Sequence, residues 1–246
     1  MRTNTDGVIL KEQNIGEKDK LVTVLTRHNG LVRAFVRGAT SYKNRKCRST
    51  GMFCYSKLSL YKTKDSYIID EAEPIETFFG LREALERISL AQYFSEIIMA
   101  LVQEEEPAEE YLRLMLNSLH FLATGKMPHE QVKAITELRL MCIAGYMPNL
   151  IACDRCGEYE TDTMYFDAED GLLYCENCIS SQAVFHLDIG LVKALRHIAF
   201  SEFDKIYSFK MEDYALPDLS YITEKYLLAQ MQRNFKTLDF YKDIVK

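Results

Sequence analysis

The sequence predicts an α+β protein of several domains: a small β-barrel first, then helices, with a four-cysteine metal-binding hairpin among them. Three observations carry this. Short runs rich in Val, Ile, Leu, Tyr and Phe fill residues 1–80, separated by turn residues. Apolar residues three or four apart dominate from Leu81 onward. Two Cys-x-x-Cys pairs stand 18 residues apart.

The strands are expected at Asp6 to Lys11, Lys20 to Arg27, Leu31 to Gly38, Met52 to Lys62 and Ser66 to Glu71. Asn14-Ile15-Gly16, His28-Asn29-Gly30 and the polar stretch Thr40 to Gly51 punctuate them. Asn29-Gly30 is the strongest hairpin signal, since both residues tolerate positive φ. Five strands with no helix-length pattern between them suit a small closed or nearly closed barrel, OB-like or SH3-like.

The third strand is the most informative. Residues alternate across a strand, so Val32, Ala34 and Val36 share a core face and Leu31, Arg33, Phe35 and Arg37 share the other. Arg33 and Arg37 can hold phosphates at the edges while Phe35 stacks a base between them. The alternative is that Phe35 packs under the first helix. Lys43-Asn44-Arg45-Lys46-Cys47-Arg48 follows as a cationic loop, suited to a sequence-blind backbone grip.

Helices are expected over Leu81 to Val102, Ala108 to Ala123 and His129 to Ala144. In the first, Leu81, Leu85, Ile88, Ala91, Ile98 and Val102 face inward. Glu104-Glu105-Glu106-Pro107 is a helix junction, with Glu109 and Glu110 in the next first turn, where the helix dipole favours anions. Gly145 and Pro148 end the third helix, and Cys142 is a core thiol. Leu187, Leu191, Val192, Leu195 and Ile198 form a further helix. Pro217 opens the last one, with Tyr221, Leu228, Met231 and Phe235 inward.

Cys153-Asp-Arg-Cys156 and Cys175-Glu-Asn-Cys178 match a zinc-ribbon or treble-clef pattern. Each knuckle aims two thiolates at one point, and two knuckles complete a tetrahedron around Zn²⁺. Tyr165-Phe166 and Leu172-Leu173-Tyr174 form the hairpin between them, turning at Asp170-Gly171. Four sulfurs leave no open position, so the one zinc is structural. Redox dithiols lack the strand–motif–helix context they need. Cys47 and Cys54 are incidental.

Charge is uneven. Residues 1–80 hold 14 Lys and Arg against 9 Asp and Glu, and residues 81–246 hold 16 against 27, so the halves net +5 and −11 within an overall −6. The basic part can attract a polyanion that the acidic part repels. No apolar run approaches the ~20 residues that span a bilayer, and no signal peptide pattern opens the chain, which is expected to be cytosolic. The sequence has no Gly-rich phosphate loop, no Gly-x-Ser-x-Gly elbow and no His-Glu-x-x-His. No catalytic residue is therefore assigned, and an enzyme is not expected.

The order of short motifs resembles the RecO family of bacterial recombination mediators. They are Gly7-Val8-Ile9-Leu10, Gly16-Glu17-Lys18-Asp19-Lys20, Leu25-Thr26-Arg27-His28-Asn29-Gly30, Val36-Arg37-Gly38-Ala39, Glu137-Leu138-Arg139-Leu140, Gly145-Tyr146-Met147-Pro148-Asn149-Leu150 and the cysteine knuckles. Two positions depart from the family pattern: Leu31 stands where a basic residue is frequent, and Ala39-Thr40-Ser41-Tyr42 where the loop is usually Arg-rich.

The resemblance implies an N-terminal OB fold over residues 1–80 and a helical domain over 81–150 that continues at 183–246. It places an inserted four-cysteine zinc ribbon at 151–182. It also implies binding of single- and double-stranded DNA, annealing of complementary strands, and help in loading RecA onto strands coated by single-stranded DNA-binding protein, together with RecR. DNA contacts are carried to Arg33 and Arg37, and to Lys43, Arg45, Lys46 and Arg48. Such a protein would act in the bacterial cytoplasm at the nucleoid, without a membrane. The alternatives are a zinc-ribbon protein–protein adaptor that does not touch DNA, and an RNA-binding ribbon–barrel protein.

Overall fold

The computed structural model describes residues 2–39, 45–64, 66–180 and 184–245. Met1–Thr124 with Phe235–Lys246 form one compact unit and Gly125–Asn234 a second.

The first unit is built on a closed barrel. Its strands are β1 (Arg2–Ile15), β2 (Asp19–Thr26), β3 (Gly30–Val36), β4 (Cys54–Lys62) and β5 (Tyr67–Thr77), in the order β1-β2-β3-β5-β4. A short helix, α1 (Arg45–Ser49), precedes β4. β1 closes the barrel because it is long enough to serve two neighbours. Arg2 to Val8 pair with Tyr61 to Tyr55, and Gly7 to Ile15 pair with Thr26 to Asp19. The register shifts between Ile9 and Lys11, a bulge that bends β1 from one partner to the other. β3 and β5 meet in parallel at Ala34↔Tyr67 and Phe35↔Ile68. Alternation fills the interior with Ile9, Val22, Val24, Val32, Ala34, Val36, Leu58, Leu60 and Ile69, all buried.

A 3-10 turn (Phe79–Glu83) leads into α2 (Leu85–Leu101) and α3 (Glu109–Thr124), and α7 (Lys236–Val245) returns to α2. Thr237 donates to Glu96 through its backbone N–H at 3.2 Å and its hydroxyl at 2.5 Å. Phe235 meets the Tyr93 ring edge-on at 5.8 Å. Within this unit the loop after α2 lies on the β2–β3 hairpin, with Leu31 N–H donating to Gln103 O at 3.2 Å and Glu105 N–H to Asn29 O at 3.0 Å. Leu31 is therefore buried, not exposed beside Arg33.

The second unit contains α4 (His129–Ile143), α5 (Ile189–Phe200), α6 (Leu216–Met231) and a three-stranded sheet ordered β7-β6-β8. Its strands are β6 (Thr163–Asp167), β7 (Leu172–Cys175) and β8 (Phe185–Asp188).

Several expectations are corrected. Arg45–Ser49 is helix rather than loop. Leu85 is 64% exposed instead of facing inward. Leu187 belongs to β8, paired with Met164, because Asp188 caps α5 by accepting from Leu191 N–H at 2.8 Å. The last helical stretch is two helices, α6 ending at Gln232 in the left-handed region at φ 49°. Tyr221 is 51% exposed, and the buried face of α6 carries Leu219, Ile222, Thr223, Glu224, Tyr226 and Leu227. A pattern of apolar residues alone misplaces that face, since part of it is polar.

Candidate nucleic-acid interface and metal centre

On β3 the side chains divide as the alternation requires. Val32, Ala34 and Val36 are buried, while Arg33 and Phe35 are exposed, as is Arg37 in the turn just past the strand. Phe35 is 37% exposed, with Leu21 and Ile68 beside it in the ladder. Thr23 lies opposite Arg33, and Lys11 opposite Thr23, so another cation stands on the same outer face two strands away. Arg33 and Arg37 form no ion pair among the described residues. Successive outward positions on a strand are about 6.6–6.8 Å apart, which sets Arg33 one outward position from Phe35, and Arg37 follows in the turn after the strand. After Arg37, Gly38 N–H donates to Asp19 Oδ1 at 2.9 Å, which fixes the exit of the strand.

Of the cations after β3, only Lys46 and Arg48 have described side chains, and they are not presented together. Lys43 lies outside the described residues, as does the side chain of Arg45. Lys46 and Arg48 are on α1 but line two different grooves. β5 carries the opposite charge, with Asp70, Glu71, Glu73 and Glu76 exposed. Arg2 is held there by Asp70 at 3.5 Å and Glu71 at 3.3 Å.

Arg27, inside one of the family-like motifs, is occupied structurally. Its guanidinium grips Asp6 at 3.0–3.2 Å and also pairs with Glu109, and Tyr55 donates its hydroxyl to Asp6. Burial alone would lift the Asp6 carboxyl, but the hydrogen bonds from Arg27 and Tyr55 outweigh it and hold it below its ordinary range. Sequence reasoning missed this cluster because its members lie 21, 49 and 82 residues apart.

In the second unit the two knuckles converge. The ligand atoms of Cys153, Cys156, Cys175 and Cys178 all lie within 4.8 Å of one another, and Cys156 Sγ is 3.6 Å from Cys175 Sγ. A tetrahedral ion with bonds of about 2.3 Å requires sulfurs roughly 3.8 Å apart, so the donor set fits one metal ion. The knuckles are tight turns, with Gly157 N–H donating to Cys153 O at 2.9 Å and Cys178 N–H to Cys175 O at 3.0 Å. Cys153 is influenced first by burial, which raises it. Backbone N–H groups of Cys156, Cys175 and Arg155 prevail and hold it below the ordinary thiol range, while hydrogen bonds with Cys156 and Cys175 raise Cys178.

The site is fastened to the unit's helices. Arg196 on α5 donates to the carbonyls of Leu150, Ile151 and Tyr159 at 2.7, 2.9 and 2.5 Å, and its guanidinium lies 4.3 Å over the Tyr159 ring. Gln230 on α6 holds Ala168 O and Glu169 O. Cys47 and Cys54 line a groove of the first unit. One equivalent of metal per chain is the expected result of elemental analysis. For an ion at about a thousand times its dissociation constant, its removal by a chelator is expected to lower the stability of residues 125–234 by ~4 kcal/mol. An unchanged melting curve after complete metal removal would contradict a structural role.

A deeper buried cluster lies between α4 and α6. Lys133 Nζ is 3.0 Å from Glu137 Oε1 and 3.1 Å from Glu224 Oε2, and it donates to Ser220 O at 3.0 Å. Thr223 Oγ1–H donates to Glu137 at 2.8 Å. Burial, opposed by Lys133 and reinforced by Glu224, raises the Glu137 carboxyl above its ordinary value. Lys133 and Glu137 are spaced i,i+4, which in sequence is indistinguishable from a surface pair.

No helix among the described residues is long and apolar enough to cross a membrane. The family model described as Recombination protein O N terminal matches residues 1–78, and that described as Recombination protein O C terminal matches residues 82–239. The chain is 31% identical over 241 residues to DNA repair protein RecO of Acetivibrio thermocellus, covering 98% of this chain and 96% of that one. It is 30% identical over 242 residues to the protein of the same name from Caldicellulosiruptor bescii, covering 98% of each. With that of Alkaliphilus metalliredigens it shares 27% identity over 247 residues, covering 99% of this chain and all of the other.

Proposed function

This chain belongs to the RecO family, and from that premise we propose that it acts in DNA repair and recombination as a non-covalent mediator. The barrel binds single- and double-stranded DNA, anneals complementary strands and assists RecA loading onto strands coated by single-stranded DNA-binding protein, together with RecR. The closed five-stranded order β1-β2-β3-β5-β4 supports reading the barrel as an OB fold, whose β2–β3 face binds oligonucleotides in many proteins. The four cysteines hold Zn²⁺ as a folding element in a ribbon inserted into the helical part, and no catalytic group is assigned. The protein works in the cytoplasm, at the nucleoid.

The observation that carries this reading is Arg33 and Phe35 exposed on the outer face of β3, with Arg37 exposed in the turn just past its end and neither arginine ion-paired among the described residues. Cations there neutralise phosphates whatever the base, and the ring between them accepts any base face. Lys43, Arg45 and Arg48 extend the electrostatic grip, while Lys46 lines a groove whose charges balance. A weak and mobile hold suits annealing, because strands must slide to find their register.

Arg33→Ala with Arg37→Ala is expected to weaken binding of a labelled oligothymidylate. It should also flatten the dependence of log affinity on log salt by about 1.4, near 0.7 per phosphate contact on single strands. Annealing should slow in parallel. An unchanged slope and rate would remove the β3 face from the interface. A complete absence of complex at low salt would favour the adaptor reading instead.

A further inference from the structure

A groove of about 940 Å³ runs along the barrel between the β1–β2 hairpin, α1 and the 3-10 turn after β5. Its described lining contains three cations, Lys20, Arg48 and Arg82, against one carboxylate, Glu12. Lys20 and Glu12 pair at 2.8 Å, and the Lys20 side chain is only 12% exposed, so these two cancel. Arg48 and Arg82 remain. Both are exposed and neither forms an ion pair among the described residues. Arg82 Nη2–H donates to Met52 O at 3.4 Å, which steadies the guanidinium over the groove and leaves most of its donors outward.

Beside it stands Phe79, 73% exposed although the adjacent Phe78 is 3% exposed. An uncovered ring next to an uncompensated arginine is the combination that stacks a base and grips its phosphate. The neighbouring groove, of about 1200 Å³, is a contrast. Its described lining sets Arg27, Lys46 and Lys57 against Asp6, Glu71 and Glu73, so a polyanion gains nothing there.

We infer that this groove is a second contact of the barrel for single-stranded nucleic acid, with Arg48 and Arg82 on phosphates and Phe79 under an unpaired base. The inference rests on the DNA-binding reading above. It assigns a preference for single strands at this groove to Phe79, since a paired base has no free face to offer.

The test uses the full chain and a fluorescent 20-residue oligothymidylate, with anisotropy at several salt concentrations. Arg82→Ala is expected to flatten the log–log salt dependence by about 0.7. Phe79→Ala is expected to weaken single-strand binding by roughly 5- to 150-fold with the slope unchanged, and to leave duplex binding as it was. Lys57→Ala, in the balanced groove, should alter neither. Both substituted side chains are exposed, so thermal midpoints should match the unsubstituted protein and fold loss is checked directly.

Unaltered binding by Arg82→Ala and Phe79→Ala, while Arg33→Ala with Arg37→Ala still weakens it, would overturn the groove and leave the β3 reading standing. An equal loss with Lys57→Ala, or an equal loss of duplex binding with Phe79→Ala, would also overturn it. Failure of the unsubstituted protein to bind either nucleic acid would remove both readings.

Discussion

Lys133→Met is expected to cost the 125–234 unit about 3–5 kcal/mol, because it strands two carboxylates in the interior without their cation. Lys133 is 2% exposed at its side chain, Glu137 0% and Glu224 4%. Methionine matches the stem of lysine in length and packing, so the loss isolates the charge. Glu137→Gln should behave quite differently. It leaves one carboxylate facing one ammonium, and its amide oxygen still accepts from Thr223. A change under about 1 kcal/mol is expected at neutral pH.

The pH dependence follows from the raised Glu137 carboxyl. The folded state binds this proton more tightly than the unfolded chain does, whose carboxyl titrates near 4.5. The stabilisation from this group is therefore complete below 4.5 and is lost as pH rises through the folded value. Relative to Glu137→Gln, the unsubstituted protein should lose stability on going from pH 4.5 upward. Urea unfolding followed by circular dichroism across that range measures both effects. If Glu137→Gln costs as much as Lys133→Met, the cluster is an ordinary ion pair, and the account of a raised Glu137 carboxyl fails.

Gly30→Ala is expected to destabilise the first unit by roughly 2–5 kcal/mol, combining left-handed strain with overpacking. Gly30 has φ +60°, and an added Cβ would lie 2.1 Å from Gln103 O and 2.8 Å from Glu106 O. These are backbone atoms of the loop laid across the hairpin. They cannot move without breaking the Leu31 N–H to Gln103 O and Glu105 N–H to Asn29 O bonds. Gly16→Ala is the control. Gly16 has nearly the same φ, +61°, yet an added Cβ meets nothing within 4 Å. Only the strain of about 1–2 kcal/mol remains. Equal losses at the two positions would show that the loop contact contributes nothing beyond backbone conformation.

Much of the barrel was legible because the exposed and buried faces of a strand alternate with a fixed period. Val32, Ala34 and Val36 went inward and Arg33, Phe35 and Arg37 outward on that ground alone. The same reasoning failed at Leu31, where a loop more than seventy residues later supplies the cover. It failed at Tyr221, because α6 turns Thr223 and Glu224 toward a buried lysine, and a hydrophobic stripe does not reveal a polar interior. β8 was hidden because a four-residue strand adjoining a helix shares the helix's apolar rhythm. The cysteine site was legible because its ligands come in two local pairs, each a single turn.

By itself the sequence determined what depends on near neighbours: which residues alternate, where chain reversals fall, and which thiols a short turn can aim together. Contacts between residues distant along the chain were decided only by the tertiary structure. It buried the Lys133 cluster, tied Arg27 to Asp6, parted Lys46 from Arg48 and brought Arg82 beside Arg48. The reason is physical: the energy of a charge depends on the water and counter-charges around it, and those are set by elements dozens of residues away.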